Sequence, residues 1–339
     1  MSDIVVERLD NGLVVAFERI EGMATASMCW LIPAGTAGDP EGAAGEGEAS
    51  VLSEMILRGA GALDSRQYSD ALDALGCERR TTANPFHVLM TATALGSKLA
   101  DALPLLTDAV LRPRLEADHL DPVRRLALQA LEGLTDDPQH LVMLRLGLRF
   151  LPPPYNRTGY GHADGLNRLT IEGLRQTWKR RAVPGGSIMS FAGAVDAKAL
   201  LPLLKSLFKD WKGSTSEPDQ TGAPARGVDH MELPTSQTHL AIALPAPVDS
   251  HADATALRLA RWCLAVNQAA DCSPKCARSA ACATAWAAAF RWAVIGACCR
   301  STPAARRSAQ VRRWPASGAS WSASPRASRR RNSTVPAPA

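Results

Sequence analysis

The chain has 339 residues, 46% hydrophobic and 21% charged, which gives room for two ordinary domains and suits a folded globular protein. No stretch resembles the roughly 20 apolar residues of a membrane-spanning helix, and Met1-Ser2-Asp3-Ile4 lacks the basic-then-apolar pattern of a signal peptide. The expected compartment is therefore the cytoplasm, with the periplasm open and no membrane partner expected.

The net charge of +5 conceals a split. The last 71 residues hold eleven Arg, Lys275 and a single acid, Asp271, for a net of +11, whereas the first 268 carry −6. The same last stretch has no Leu but five of the eight Cys and four of the eight Trp. One fold rarely changes composition so abruptly.

In chain order, residues 5–20 read as a β-hairpin, because apolar-alternating runs flank Asp10-Asn11-Gly12 and Asn-Gly supplies the positive φ of a tight turn. A third strand is expected over 24–32, then a Gly/Ala loop over 33–46. The i, i+4 spacing of Val51, Met55 and of Leu52, Ile56 predicts a helix over 48–58, closed by Gly59. A second helix spans 65–75, with Ser65 as cap and Gly76 as stop. Strands follow over 78–83 and 86–93.

Further helices are expected over 97–111, over 115–134 with a break near Pro122, and from Asp136-Asp137-Pro138 to about 150. Pro152-Pro153-Pro154 marks a rigid loop. A helix over 170–181, a strand over 187–193 and a helix from Asp196 to 211 complete the first domain, 1–213. Residues 214–228 are rich in Ser, Thr, Pro and Gly and read as a linker. Strands over 231–233 and 237–244 and a helix over 252–266 open a second domain, 229–267. Strands and helices mix without strict alternation, so the class is α+β.

This order of elements resembles the N-terminal domain of the pitrilysin/insulinase-type zinc metallopeptidases, the inverzincins, whose motif helix carries H-x-x-E-H. Their segment G-x-A-H-x-x-E-H-M-L-x-x-G is similar in length and flanks to Gly47-Glu48-Ala49-Ser50-Val51-Leu52-Ser53-Glu54-Met55-Ile56-Leu57-Arg58-Gly59. Leu75-Gly76-Cys77, Asp136-Asp137-Pro138 and Phe191-Ala192-Gly193 resemble further family segments, over about 4–266. The resemblance implies a mixed sheet packed with helices, as in mitochondrial processing peptidase and LuxS-like folds, followed by a truncated second copy.

In catalytic members two His and a later Glu hold zinc, and the motif Glu is the general base. Carried over, the first His is Ser50, the base Ser53, the second His Glu54 and the third ligand Ala130. Serine hydroxyls are poor zinc ligands at neutral pH, and one carboxylate cannot hold the ion alone. Glu46, Glu48, Glu132 and His87 are the nearest candidate replacements, more simply read as surface groups and an ordinary histidine. The expectation is no zinc, no other cofactor and no catalytic residue. The implied role is a non-catalytic subunit that binds peptide beside a related chain with an intact H-x-x-E-H. The alternatives are a zinc metalloendopeptidase with a non-standard site, and a structural subunit like the core proteins of respiratory complexes.

After residue 267 the family's R-L-F-x-E-V-R-E-K-x-G-L-x-Y segment is missing. Permitted codons for Gln268-Ala269-Ala270-Asp271-Cys272-Ser273-Pro274-Lys275-Cys276-Ala277-Arg278, read two bases later, yield G-G-G-L-F-T-E-V-R-E. Residues 268–339 are thus expected to be out-of-frame sequence forming a disordered basic tail. Cys272, Cys276, Cys282, Cys298 and Cys299 lack the paired spacings of a metal site, and the Arg pairs imply only nonspecific attraction to nucleic acid. Resequencing the gene across codons 266–268 is expected to reveal one gained or lost base. An unaltered frame, with an intact mass that includes this tail, would refute the frameshift.

Overall fold

The computed structural model describes residues 4–42, 45–234, 237–245 and 251–261, and the backbone of 283–289 and 293–300. The chain opens with β1 (Ile4–Arg8) and β2 (Val14–Arg19), joined by the expected tight turn with Gly12 at φ 95°. Asn11 fastens the turn to the rest of the fold. Its amide donates to Phe208 O at 3.0 Å and Trp211 O at 3.2 Å, and its carbonyl oxygen accepts from Leu13 N at 3.1 Å.

Next come β3 (Thr25–Ile32), α1 (Glu48–Met55), α2 (Ser65–Ala74), β4 (Glu78–Ala83), β5 (Val88–Leu95) and α3 (Gly96–Leu111). Then follow α4 (Ala117–Glu132), α5 (Pro138–Phe150), α6 (Ala163–Arg168), α7 (Ile171–Arg181), β6 (Ile188–Gly193) and α8 (Ala197–Leu207). The six strands form one mixed sheet in the order β1-β2-β6-β3-β5-β4, with β2 and β6 parallel and the other pairs antiparallel. The fold is therefore α+β, as read from the sequence.

Alternation fixes which face of the sheet is covered. Val15, Phe17, Met28, Trp30, Met90, Met189 and Phe191 are buried under the helices, while Ala16, Ser27, Thr91 and Ser190 stay partly or fully exposed. Phe17 stacks on Phe191 at 5.3 Å, and Trp30 meets Phe208 and Trp211 edge-on at 5.4 and 5.7 Å. Indole N–H groups lock two crossings, Trp178 to Val110 O at 2.8 Å and Trp211 to Ala182 O at 3.0 Å.

Several expectations need correction. The helix expected to break near Pro122 runs through it as α4, with proline as its sixth residue, where it removes one backbone hydrogen bond and crowds the carbonyl of Asp118. Residues 231–233 form no strand: they are largely exposed and run into Pro234, which has no N–H for a ladder. The expected linker is irregular but not loose, with Thr221 N donating to Pro153 O and Arg226 N to Arg149 O, each at 2.9 Å.

A second sheet places β7 (Gln237–Leu244) beside β9 (Ala293–Arg300), which pairs with β8 (Ala283–Ala289). These two strands lie in the stretch expected to be a disordered tail. α9 (Ala254–Arg261) covers part of the expected 252–266 helix, and 262–266 lie outside the described residues. The rest of the expected tail also lies outside them.

Candidate functional site

The motif helix α1 begins at Gly47, whose φ of 126° only glycine adopts without strain. Gly47 has no side chain to cap the helix. Asp39, from the preceding loop, does so instead. Its carboxylate accepts from Gly47 N at 3.0 Å and Ala49 N at 3.1 Å, which satisfies two of the free N–H groups of the first turn and complements the helix dipole.

Asp39 is 5% exposed, and so needs compensation. Arg181, at the last residue of α7 and also buried, approaches it at 3.5 Å and donates to Gly35 O. Gly38 leaves room for that guanidinium, since a Cβ there would collide with it. Arg157 donates to the carbonyls of Thr36, Ala37 and Asp39. Burial pushes the Asp39 carboxyl up to about 6 from 3.8, against the opposing pull of Gly47 N, Arg181 and Ala49 N. Burial also draws Arg181 down, with Asp39 and Glu48 opposing.

The motif positions sit on this anchored helix. Ser50 is partly buried, and its hydroxyl donates to Gly159 O. Ser53 is buried and donates at 2.7 Å to Ser50 O, one turn back, while its own carbonyl accepts from Thr81 on β4 at 2.6 Å. Glu54 points to solvent, and Ala130 is exposed near the end of α4, which packs against α1. Both serine hydroxyls are thus engaged, Glu54 is the only charged donor, and Ala130 offers no ligand atom. This donor set does not fit zinc.

Nor do the replacement candidates assemble. Glu46 meets Arg157 at 3.7 Å and His162 at 3.5 Å, and Glu48 accepts from Thr177 at 2.9 Å. Glu132 is exposed at the end of α4, and His87 lies at the sheet's end, in a cleft with Arg180. Among the described residues one group of three metal-capable side chains occurs, Glu116, Asp118 and His119, where α4 begins. Ala130 is eleven residues further along that helix, about 17 Å away. Glu116 also carries Arg114 at 2.5 Å, a cation where a metal would sit.

Sequence reasoning missed the segment that closes over α1. Residues 157–162 bring Gly159 O to Ser50, stack Gly161 against Gly47 and place Tyr160 at 3.1 Å from His140. Gly161, at φ 67°, permits this approach, since a Cβ would strike Gly47 and the carbonyl of Glu46. The pair of glycines in Gly159-Tyr160-Gly161 was the available signal. The other exposed feature beside α1 is β4, an edge strand with one hydrogen-bonded neighbour among the described residues.

The profile of the peptidase M16 inactive domain matches residues 168–273. An uncharacterized zinc protease of Mycobacterium bovis is 29% identical over 202 residues, 59% of this chain and 45% of that protein. Cytochrome b-c1 complex subunit 1 of Bos taurus is 24% identical over 261 residues, covering 75% and 54%. The crystal structure of a peptidase M16 inactive domain from Pseudomonas fluorescens superposes with a TM-score of 0.79 at 19% identity, covering 88% of this chain and 74% of that one. The fold is that of the M16-type peptidases. Residues 168–273 resemble the M16 inactive domain, and the chain spans about half the length of the curated relatives it matches.

Asp39 generates a pH prediction. Between about pH 4 and pH 6 the folded chain keeps a proton on Asp39 that the unfolded chain has released. Its contribution is therefore complete below about pH 4 and lost as pH rises through about 6, a change of about 3 kcal/mol. Urea titrations of the wild type and Asp39→Asn should show their stability difference shifting by that order over this window. A pH-independent difference would exclude a raised Asp39.

Proposed function

We propose that this chain is a non-catalytic M16 homologue, which binds peptide and completes a chamber with a related subunit that carries an intact H-x-x-E-H. The observation that carries this reading is the state of α1. The motif helix is capped, packed and in place, yet Ser50, Ser53, Glu54 and Ala130 stand where the resemblance puts the zinc ligands and the base, and both serine hydroxyls are bonded to backbone carbonyls.

The free edge of β4 supports peptide binding, since an extended peptide can add to an exposed edge through main-chain hydrogen bonds. Thr81 turns inward to α1, while Glu78, Arg80 and Thr82 are exposed along that strand. Similarity to a named subunit of a respiratory complex supports an assembled rather than a solitary role. It also keeps a purely structural subunit as the second reading.

The substitutions at α1 lie well before the compositional change after residue 268, and we read them as an inherited non-catalytic state. The basic end is a separate event, a shift of frame near residues 266–268. The M16 profile stops matching at 273, close to the compositional change after 268, which supports that reading. On it, the Arg and Tyr of the family's E-V-R-E-K-x-G-L-x-Y segment have no counterpart here, and this polypeptide is a damaged partner.

Co-expression with an H-x-x-E-H chain from the same genome tests the role. Co-purification, with chelator-sensitive peptide hydrolysis well above that of the catalytic chain alone, is expected. Chelator-sensitive hydrolysis by this chain alone would establish the non-standard peptidase instead. Stable capture in an assembly without peptidase activity would establish the structural subunit.

A further inference from the structure

A cleft of about 360 Å³ opens where the end of β3 and the starts of β5 and β6 meet the last turn of α7. That volume falls within the roughly 300–1,000 Å³ of small-molecule sites. It lies outside the motif region and is lined on one side by residues 215–218.

That wall is held in place at both ends. Gly185 N donates to Gly213 O at 3.0 Å and Thr215 N to Gly185 O at 3.4 Å. At the other end Tyr155 donates its hydroxyl to Pro218 O, and its ring stacks at 4.9 Å on Phe86, which forms the facing wall. A cleft whose walls are already tied loses little entropy when a ligand enters.

Three formal charges line it, Arg180, Arg181 and Glu217. Arg181 is taken up by Asp39 and Gly35 O. Arg180 and Glu217 are both exposed, and neither has an ion-pair partner among the described residues, each other included. A lone surface charge is ordinarily just solvated. Here a cation and an anion that do not neutralise one another face the same cleft, with the apolar surfaces of Pro33 and Phe86 beside them. The complementary ligand is compact, carries both signs of charge on separate groups and has an apolar part.

We propose that this cleft binds a dipeptide-sized zwitterion, with its carboxylate on Arg180, its ammonium on Glu217 and its apolar side chain against Phe86 and Pro33. None of the residues assigned to the ligand belongs to α1, β4 or the Asp39 anchor, so the site can be tested apart from the partner-subunit role. It would hold a short peptide with free termini, such as a proteolytic fragment.

Isothermal titration of the full chain with the dipeptide Ala-Phe, its N-acetyl form and its C-terminal amide tests the assignment. Ala-Phe should bind, and Glu217→Gln should weaken it about 2- to 5-fold while leaving the N-acetyl form unchanged. Arg180→Gln should do the same to Ala-Phe while leaving the amide unchanged. Both positions are exposed, and an unchanged circular dichroism spectrum shows that each variant folds. No binding of Ala-Phe by the wild type up to about 10 mM would overturn the proposal. So would equal loss of blocked and unblocked peptides in either variant.

Discussion

The buried carboxylate of Asp39 is the constraint on which the arrangement around the motif helix depends. A helix that starts at glycine has no side-chain cap of its own, and this one starts below the surface, where free N–H groups are costly. Asp39 supplies the acceptors from eight and ten residues upstream, which folds the Gly/Ala loop back over the start of α1. Burying that carboxylate requires Arg181, which fixes the end of α7 against the same loop, and Arg157 pins the loop's carbonyls from the other side. At 3.5 Å the ion pair is too long to offset the cost of burial fully, so Asp39 remains a weak acid. Three distant parts of the chain are thereby organised by one carboxyl group.

This anchoring fixes the motif helix through contacts within the chain. In a zinc enzyme the ion holds helices together as well as doing chemistry. Here α1 is fixed at its start by Asp39, along one face by Val51, Leu52 and Met55 in the core, and toward the sheet by Thr81. On the proposed reading, in which Ser50 and Ser53 stand at former metal-site positions, each hydroxyl needs an acceptor. Ser53 finds one within its own helix, and Ser50 finds one in the segment at 157–162. That segment brings backbone to the position from which the first ligand would have reached a metal.

Much of this was legible in the sequence, for identifiable reasons. The Asn11-Gly12 turn, the alternation through β2 and β3 and the helical spacing of Val51 and Met55 are local signals, and each corresponds to the element it predicts. Pro122 misled, because the cost of one interior proline is outweighed where the helix on both sides of it is packed, as Leu120 and Val123 are. The Asp39–Arg181 pair joins residues 142 apart, and the closure of 157–162 over Ser50 spans 109, so neither leaves a periodic trace. The α6 helix is only six residues long and has no side-chain cap, which left nothing to recognise. The cleft at Arg180 and Glu217 is built from five separate stretches of chain and was invisible for the same reason.

On the proposed reading, α1 keeps the peptidase frame while its ligand positions have been refilled. Zinc stoichiometry after equilibrium dialysis tests it most directly, on the wild type and on the variant Ser50→His, Ser53→Glu, Glu54→His, Ala130→Glu. The account predicts no zinc lost on substitution of Glu54 in the wild type, and one additional ion per chain in the fourfold variant. A stoichiometric ion in the wild type that is lost with Glu54→Ala, or a correctly folded fourfold variant that gains none, would contradict it.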